Sequence, residues 1–166
     1  MKVIFIRGLP GTGKTIVTEL LKEKLPNSEV INVDDFKINP IQNGETLKNI
    51  MKIAYKQLLK RLYEFSLINK EYVIIDELIC EKRFLKKIFF FLNQTNSLSY
   101  WFRLRRKLKE LLKVEAGRNR KIKNSLKDFS KLKKKIESLK IAGEYQIKND
   151  DLDLTVKKIM SYLNKF

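Results

Sequence analysis

The 166-residue sequence contains no histidine, a single cysteine (Cys80), three prolines and six glycines. Without histidine, the chain can form neither a Cys/His zinc site nor a nucleophilic triad that uses an imidazole base. One cysteine cannot form an internal disulfide. No apolar run approaches the roughly 20 residues of a membrane-spanning helix, and the apolar segment 1–6 is too short for a signal peptide. We therefore expect a cytoplasmic protein that does not enter a membrane.

Charge is unevenly distributed along the sequence. Lysine and arginine total 36 against 19 acidic residues, giving a net charge of +17, and most of this excess lies in residues 103–140. Such a charge is typical of proteins that bind nucleic acid or other polyanions. A compositional bias towards lysine, with the side chains only solvating helix surfaces, would give the same total. Binding of RNA or DNA through the basic segment 103–140 is therefore one of two open interpretations.

Short apolar runs alternate with amphipathic segments along the whole chain. The runs predict five β-strands, at residues 2–7, 29–33, 72–75, 99–104 and 144–149. Apolar residues at helical spacing predict helices between the strands, at residues 14–25, 45–69 and 84–92. This alternation predicts an α/β fold of one domain, residues 1–166, in which a five-stranded parallel sheet lies between two layers of helices.

Residues 107–140 have a helical period that is interrupted near Ala116 and Gly117. We expect two helices joined by a corner, which together form a basic helical lid at about residues 105–140. The final helix is expected to begin at Asp151 or Asp153, since aspartate is a favoured N-cap. The aromatic residues of the fourth strand and of segment 89–91 are expected to lie in the core.

Residues 8–15 follow the first predicted strand and read GLPGTGKT, which fits the phosphate-binding pattern G-x-x-x-x-G-K-[ST]. Its glycines allow backbone N–H groups to surround phosphates, and the following helix directs its positive end at them. Within this loop, Lys14 is expected to contact the β- and γ-phosphates of ATP, and the Thr15 hydroxyl to ligate Mg²⁺. The predicted nucleotide-binding residues are Gly8, Leu9, Pro10, Gly11, Thr12, Gly13, Lys14 and Thr15.

Acidic residues follow the second and third predicted strands, at the sheet edge where the loop of residues 8–15 also lies. Asp34 and Asp35 follow the second strand, where a carboxylate can accept the proton of an attacking hydroxyl or cap the next turn. Asp76 ends the third strand, and we expect it on the metal side of the site. Glu77 could position a water molecule for hydrolysis, but we expect it to be peripheral.

Two arginines, Arg118 and Arg120, lie at the break in the basic segment. An arginine on a lid can close over a transferring phosphoryl group and neutralise its developing charge. Arginine suits this role better than lysine because its planar fork binds two phosphate oxygens. We expect both arginines to bind the nucleotide, although either one could equally be a solvated surface charge.

The segments GLPGTGKT, VDDFK and VIIDE, followed by an arginine-bearing helix, resemble the small P-loop kinases. These include polynucleotide 5′-hydroxyl kinases, phosphoseryl-tRNA kinases, chloramphenicol phosphotransferases and zeta toxins. The resemblance implies a nucleotide-kinase-like P-loop NTPase fold, ATP and Mg²⁺ as cofactors, and transfer of the γ-phosphoryl group to a hydroxyl. It implies that Asp34 is the general base and Arg118 the phosphate contact of the lid, and that Asp34, Asp35 and Lys37 bind the acceptor.

The sequence departs from the pattern of these kinases at two places. Lys37 stands where they carry an arginine, and Glu77 follows Asp76 where they usually carry threonine or alanine. The hydroxyl could therefore belong to a nucleic-acid end, to a nucleoside or nucleotide, or to another small molecule. The two departures also keep an alternative open, in which the protein is a nucleotide-dependent ATPase or a nucleic-acid-binding module without kinase activity.

Overall fold

The computed structural model describes residues 1–117 and 124–164. Its strands are β1 (Lys2–Gly8), β2 (Ser28–Asn32), β3 (Tyr72–Asp76), β4 (Leu98–Arg105) and β5 (Tyr145–Lys148). Its helices are α1 (Lys14–Lys24), α2 (Ile38–Gln42), α3 (Leu47–Leu67), α4 (Lys82–Gln94), α5 (Leu108–Ala116), α6 (Leu126–Ser138) and α7 (Leu152–Leu163). A 3₁₀ turn (Val33–Lys37) connects β2 to α2.

The five strands form one parallel sheet in the order β2-β3-β1-β4-β5. This confirms the predicted α/β fold with a five-stranded parallel sheet. The central strand β1 ends between β3 and β4, with Ile6 opposite Asp76 on one side and Arg7 opposite Arg103 on the other. The loop that begins at Gly8 therefore leaves the middle of the sheet edge, next to the end of β3.

Helices cover both faces of the sheet because alternate residues of each strand point to opposite faces. Val3 and Phe5 of β1 belong to the cluster that α3 and α4 cover. Ile4 and Ile6 belong to the cluster that α1 and α7 cover. Among the described residues, no helix is long and apolar enough to cross a membrane.

The two helices of the predicted basic lid pack against the loop of residues 8–15, for which the sequence predicts phosphate binding. Leu111 of α5 and Phe129 and Ile136 of α6 form a buried cluster with Leu9. Helix α5 ends at Ala116, where the sequence predicts the corner. Helix α6 begins with a capping box, in which Ser125 and Asp128 each accept a hydrogen bond from the other's backbone N–H.

The segment after β2 is more helical than the sequence predicts. Two elements that were not predicted, the 3₁₀ turn and α2, precede α3, which begins at Leu47. The Asn32 side chain accepts a hydrogen bond from the Asp34 N–H, and this contact starts the turn directly after the strand. Asp34 and Asp35 thus lie within the turn and not on the strand end itself.

The prediction that segment 89–91 lies in the core is wrong for two of its residues. Phe89 is 42% exposed and Phe90 is 68% exposed. Helix α4 instead buries the face that carries Phe84, Ile88 and Leu92, so a run of consecutive aromatic residues must place some of them in solvent. At the other end of the chain, the cap of α7 is Asp151, whose side chain accepts from the Leu154 N–H.

Candidate active site

The loop between β1 and α1 has the backbone that its glycines permit. Gly11 and Gly13 have φ angles of 85° and 87°, in the left-handed region that side chains disfavour. Gly13 directly precedes α1, and a Cβ added to it would lie 2.6 Å from the amide nitrogen of Asn149. Glycine is therefore required at position 13 both by backbone conformation and by space.

Side-chain hydrogen bonds to its carbonyl groups hold the loop in this shape. The Thr12 hydroxyl donates to the Leu9 carbonyl (2.8 Å), and the Arg106 guanidinium donates to the Gly11 carbonyl (3.4 Å). Asn149, which follows β5, donates through Nδ2 to the Thr12 carbonyl (2.6 Å). Asn149 was not predicted as a site residue. The available signal was its position as the last residue of the fifth predicted strand, at the same sheet edge as the loop.

Thr15 and Asp76 are in direct contact, although they lie on α1 and at the end of β3. The Thr15 hydroxyl donates to Oδ2 of Asp76 (2.6 Å), and Lys14 Nζ lies 4.0 Å from Oδ1 of the same carboxylate. Asp76 is almost fully buried, and this burial raises its pKa, which the charge of Lys14 and the Thr15 hydrogen bond only partly oppose. The structure thus brings together the two residues that were predicted on the metal side.

The contact between Thr15 and Asp76 is suited to Mg²⁺, which prefers oxygen ligands and usually takes one or two from the protein while phosphates and water complete its shell. A hydroxyl and a carboxylate oxygen stand beside the loop that would hold the phosphates. Within residues 1–117 and 124–164, no group of three or more His, Cys, Asp or Glu side chains could hold a metal by itself. The Thr15–Asp76 pair is therefore the place where the residues fit a phosphate-bound Mg²⁺.

Lys37 bridges two carboxylates next to this pair. Its ammonium lies 2.7 Å from Oδ1 of Asp34 and 2.7 Å from Oε2 of Glu77. Burial alone would lower the Lys37 pKa, but the two carboxylates outweigh it and raise that pKa. The Asp34 side chain is 80% exposed and is open to an incoming molecule.

Glu77 is a buried residue, and its peripheral part in the chemistry stays a prediction. Its side chain is only 5% exposed, and besides its ion pair with Lys37 it accepts a hydrogen bond from the Leu78 N–H (2.7 Å). A carboxylate with two such contacts is held in one orientation. Glu77 therefore orients the lysine that contacts Asp34.

Asp35 follows Asp34 within the 3₁₀ turn but makes different contacts. Its carboxylate accepts from Asn32 Nδ2 (3.3 Å), and it lines a hollow of about 300 Å³ with Asn39 and Gln57. The two consecutive aspartates thus serve different surfaces, and only Asp34 contacts Lys37 in this structure.

A fully buried arginine supports the loop that follows Glu77. Arg7 donates through Nε and Nη2 to the Ile79 carbonyl (3.2 and 2.6 Å) and forms an ion pair with Glu144, which Arg103 also contacts at 3.2 Å. Ile79 has a φ angle of 37°, which is rare for a β-branched residue. Arg7 therefore stabilises an unusual backbone position close to the site.

The two arginines predicted on the lid, Arg118 and Arg120, lie outside the described residues. The chain segments before and after these two arginines are linked by Glu115, a buried residue of α5. Its Oε1 accepts hydrogen bonds from the backbone N–H and side-chain amide of Asn124, at 2.8 and 2.9 Å. These bonds join the end of α5 to the residues that lead into α6.

The sequence matches no protein-family model, and a search of curated proteins finds no match. Solved structures do share the fold. A gluconokinase from Sinorhizobium meliloti 1021 superposes with a TM-score of 0.69 at 16% identity, over 99% of this chain and 92% of that one. A deoxyadenosine kinase from M. mycoides superposes with a TM-score of 0.62 at 18% identity, over the full length of both chains.

A third similar structure is a chain of the Pnkp1/Rnl/Hen1 RNA repair complex, with a TM-score of 0.60 at 20% identity. The match covers 82% of this chain and 44% of that one. At these identities the likeness establishes the fold alone, a five-stranded parallel sheet covered by helices on both faces.

Proposed function

We propose that the protein is a kinase that uses ATP and Mg²⁺ to phosphorylate a hydroxyl group. The observation that carries this proposal is the convergence, at one sheet edge, of a phosphate-binding loop, the Thr15–Asp76 pair and an exposed Asp34 held by Lys37. The two halves are electrostatically coupled, because Asp34 raises and Lys37 lowers the pKa of Asp76. A phosphate donor and a carboxylate base therefore face the same small region.

The donor half of the site is the loop of residues 8–15 with the start of α1. Its backbone N–H groups and the helix N-terminus would bind the β- and γ-phosphates, and Lys14 would neutralise their charge. Thr15 and Asp76 would hold Mg²⁺, which draws charge from the phosphate oxygens when bound. A cleft lined by Arg106, Glu110, Lys113, Val114 and Asp150 lies beside the loop, since Arg106 donates to the Gly11 carbonyl, and would offer room for the rest of the nucleotide.

The acceptor half is centred on Asp34. Its carboxylate would accept the proton of the acceptor hydroxyl as that oxygen forms a bond to the γ-phosphorus and ADP leaves. Lys37 would orient Asp34 and attract an acceptor oxygen, with Glu77 holding the lysine in place.

We further propose that Arg118, with Arg120 nearby, contributes positive charge to the transferring group. We also propose that residues 1–166 act as one cytoplasmic kinase domain.

The chemistry of the site identifies the acceptor only as a molecule that carries a hydroxyl group. A nucleic-acid end, a nucleoside or nucleotide, and another small molecule all fit an exposed carboxylate and a lysine. The similar structures include a gluconokinase and a deoxyadenosine kinase, so this fold accommodates both kinds of small acceptor. Nucleic acid bound to the basic segment 103–140 would be a further acceptor that could bring a terminal hydroxyl to the same site.

Labelled ATP incubated separately with 5′-hydroxyl oligonucleotides, nucleosides and small polyols tests the proposal. We expect label in at least one acceptor, and we expect Asp34→Asn to abolish the transfer while ATP binding persists. Asp153→Asn makes the same chemical change on the exposed first turn of α7 and should leave the transfer intact. Label that reaches no acceptor in any of the three reactions would contradict the proposal.

Hydrolysis is the second candidate, because Glu77 directly follows Asp76 and could position a water molecule. Its carboxylate is already bound to Lys37 and to the Leu78 N–H, which favours the kinase. If free phosphate were the only product, insensitive to Asp34→Asn and lost in Glu77→Gln, the kinase proposal would give way to an ATPase.

A further inference from the structure

Helices α3 and α4 form a groove of about 620 Å³ on the surface of the protein, which we call the α3–α4 groove. Five of the residues that line it are basic, and one, Glu81, is acidic. Three of the basic residues lie on α3 and two on α4: Lys48, Lys52, Lys56, Arg83 and Lys87. The groove is thus strongly positive.

The five cations are exposed, and within residues 1–117 and 124–164 none of them forms an ion pair. Lysines elsewhere on α3 behave differently: Lys60, one turn beyond Lys56, lies 3.9 Å from Glu64. The positive charge of the groove is therefore not neutralised by neighbouring carboxylates. Concentrated charge in a concave surface attracts a polyanion more strongly than the same charge spread over a convex one.

The spacing of the lysines suits a linear polyanion. Lys48, Lys52 and Lys56 follow each other at four-residue intervals, so they form a row along one side of α3. Successive members of the row are about 6 Å apart along the helix axis. A nucleic-acid strand likewise carries one negative charge on each nucleotide, so a row of this kind can contact consecutive phosphates.

Aromatic surface lies beside the charge. Phe90 is 68% exposed and shares a face of α4 with Arg83 and Lys87, from which it is separated by seven and three residues. The rings of Tyr55 and Phe84 stack 3.6 Å apart at the bottom of the groove. The exposed ring of Phe90 beside the groove is therefore available for stacking.

We propose that the α3–α4 groove binds single-stranded nucleic acid, with phosphates on the two rows of cations and a base stacked on Phe90. A charged groove combined with exposed aromatic rings is the arrangement that binds single strands with little sequence preference. An acidic peptide would use the charge but not the ring. An anionic lipid surface would need a flat or convex face, whereas these cations line a concavity.

The groove lies close to the candidate active site. Helix α3 packs against the 3₁₀ turn that carries Asp34, and Glu81, at the edge of the groove, is four residues beyond Glu77. The Glu77 charge also adds to the effect of burial in raising the pKa of Tyr55. Binding in the groove does not require the kinase reaction. That the bound strand presents its terminal hydroxyl to Asp34 is an extension that rests on the proposed function.

Fluorescence anisotropy with a short labelled single-stranded oligonucleotide, in the absence of ATP, tests the groove directly. We expect Lys52→Glu/Lys56→Glu to weaken binding by at least about tenfold and to lower the slope of log affinity against log salt by about 2. Phe90→Ala should weaken binding with the salt slope unchanged. Lys157→Glu/Lys158→Glu reverses the same charge on the exposed side of α7 and should bind like the wild type.

A second pair of lysine changes separates the groove from the basic lid. Lys131 and Lys134 are exposed on α6, and their replacement by glutamate would weaken binding if the strand follows the lid instead. The groove proposal is overturned if this lid variant loses the binding and Lys52→Glu/Lys56→Glu keeps it. It is also overturned if the wild type binds phosphatidylserine vesicles and no oligonucleotide.

The outcome of the binding experiment does not depend on the outcome of the transfer experiment. Salt-dependent binding that is lost in Lys52→Glu/Lys56→Glu, without transfer to any acceptor, supports the groove and refutes the kinase. Transfer to nucleosides without any binding of oligonucleotides supports the kinase and refutes the groove. If both hold, Lys52→Glu/Lys56→Glu should reduce transfer to oligonucleotides and leave transfer to nucleosides unchanged.

Discussion

Lys37 and Glu77 lie 40 residues apart in the sequence, yet their ammonium and carboxylate groups are 2.7 Å apart. The pairing of β2 with β3 produces this contact, because it sets Asn32 opposite Asp76 and so places the 3₁₀ turn beside the residue after β3. The same ammonium contacts Asp34 at 2.7 Å. One lysine thus connects a buried carboxylate to the exposed carboxylate that we propose as the base.

Lys37→Met is expected to destabilise the protein and to impair transfer. It leaves the buried Glu77 carboxylate without its ion-pair partner, a loss that typically costs about 3 kcal/mol in the free energy of unfolding. It also leaves Asp34 without the group that orients it, so we expect transfer to fall by at least about tenfold. Urea denaturation measures the first effect and steady-state kinetics the second.

The double variant Lys37→Met/Glu77→Met distinguishes loss of the ion pair from loss of packing. Removing both charges should recover much of the stability lost in Lys37→Met, since no buried charge is left unpaired. Transfer should stay low, because the orientation of Asp34 is still lost. Equal stability of Lys37→Met and the wild type would show that the pair does not matter to folding.

The buried Asp76 predicts a pH dependence of stability. Its folded-state pKa is raised above the ordinary value of 3.8 by burial, so the folded protein holds this proton more tightly than the unfolded chain does. Stability from this group is therefore present below pH 3.8 and is lost as the pH rises through the raised pKa. At neutral pH, and without bound nucleotide, the ionised Asp76 carboxylate therefore lowers the stability of the folded protein.

Asp76→Asn should accordingly raise the melting temperature at pH 7 while abolishing transfer, because an amide keeps an acceptor for Thr15 without the buried charge. Below pH 3.8 the variant and the wild type should melt at nearly the same temperature. Thermal denaturation across this range checks both statements. A variant less stable than the wild type at pH 7 would mean that the contacts with Lys14 and Thr15 outweigh the cost of burial.

Local sequence patterns were sufficient to predict the sheet and the place of the loop of residues 8–15 at its edge. Each strand is a short apolar run, and the loop of residues 8–15 carries its own glycines and lysine, so these features depend on neighbouring residues alone. Asp76 could be placed for the same reason, because it ends a strand. The fold predicted from these patterns is confirmed by the structure.

The acceptor half could not be predicted in the same way, because it depends on contacts between distant segments. The Lys37–Glu77 pair requires β2 to lie beside β3, and the bond from Asn149 to Thr12 requires the last strand to end near the first loop. Periodicity specifies elements but not their order in the sheet. The exposed Phe90 was missed because a run of aromatic residues does not show which face of its helix is covered.

Arg7→Met tests the support beneath the loop that follows β3. The change removes two hydrogen bonds to the Ile79 carbonyl and the ion pair with Glu144, all inside the protein. We expect the free energy of unfolding to fall by about 3 kcal/mol or more, as when one partner leaves a buried pair. Arg105→Met makes the same change on an exposed residue of β4 and should have almost no effect. Equal stability of the two variants in urea denaturation would contradict the structural role of Arg7.

Gly13→Ala tests the shape of the loop of residues 8–15, which we propose binds the phosphates. The alanine must adopt a left-handed conformation, which costs about 1 kcal/mol or slightly more, and its Cβ would lie 2.6 Å from the Asn149 amide. Displacing that amide also weakens its hydrogen bond to Thr12, so the total loss should be roughly 2 kcal/mol. Nucleotide affinity should fall with it, because the loop N–H groups move.

Gly143→Ala isolates the cost of the backbone conformation. Gly143 has a φ angle of 73° and no atom within 4 Å of an added Cβ, so this variant should lose only about 1 kcal/mol. In an Asn149→Ala background, the clash at position 13 is absent and the hydrogen bond to Thr12 is already gone. The further cost of Gly13→Ala should then shrink to that of Gly143→Ala. An undiminished cost would mean that the contact with Asn149 does not shape the loop.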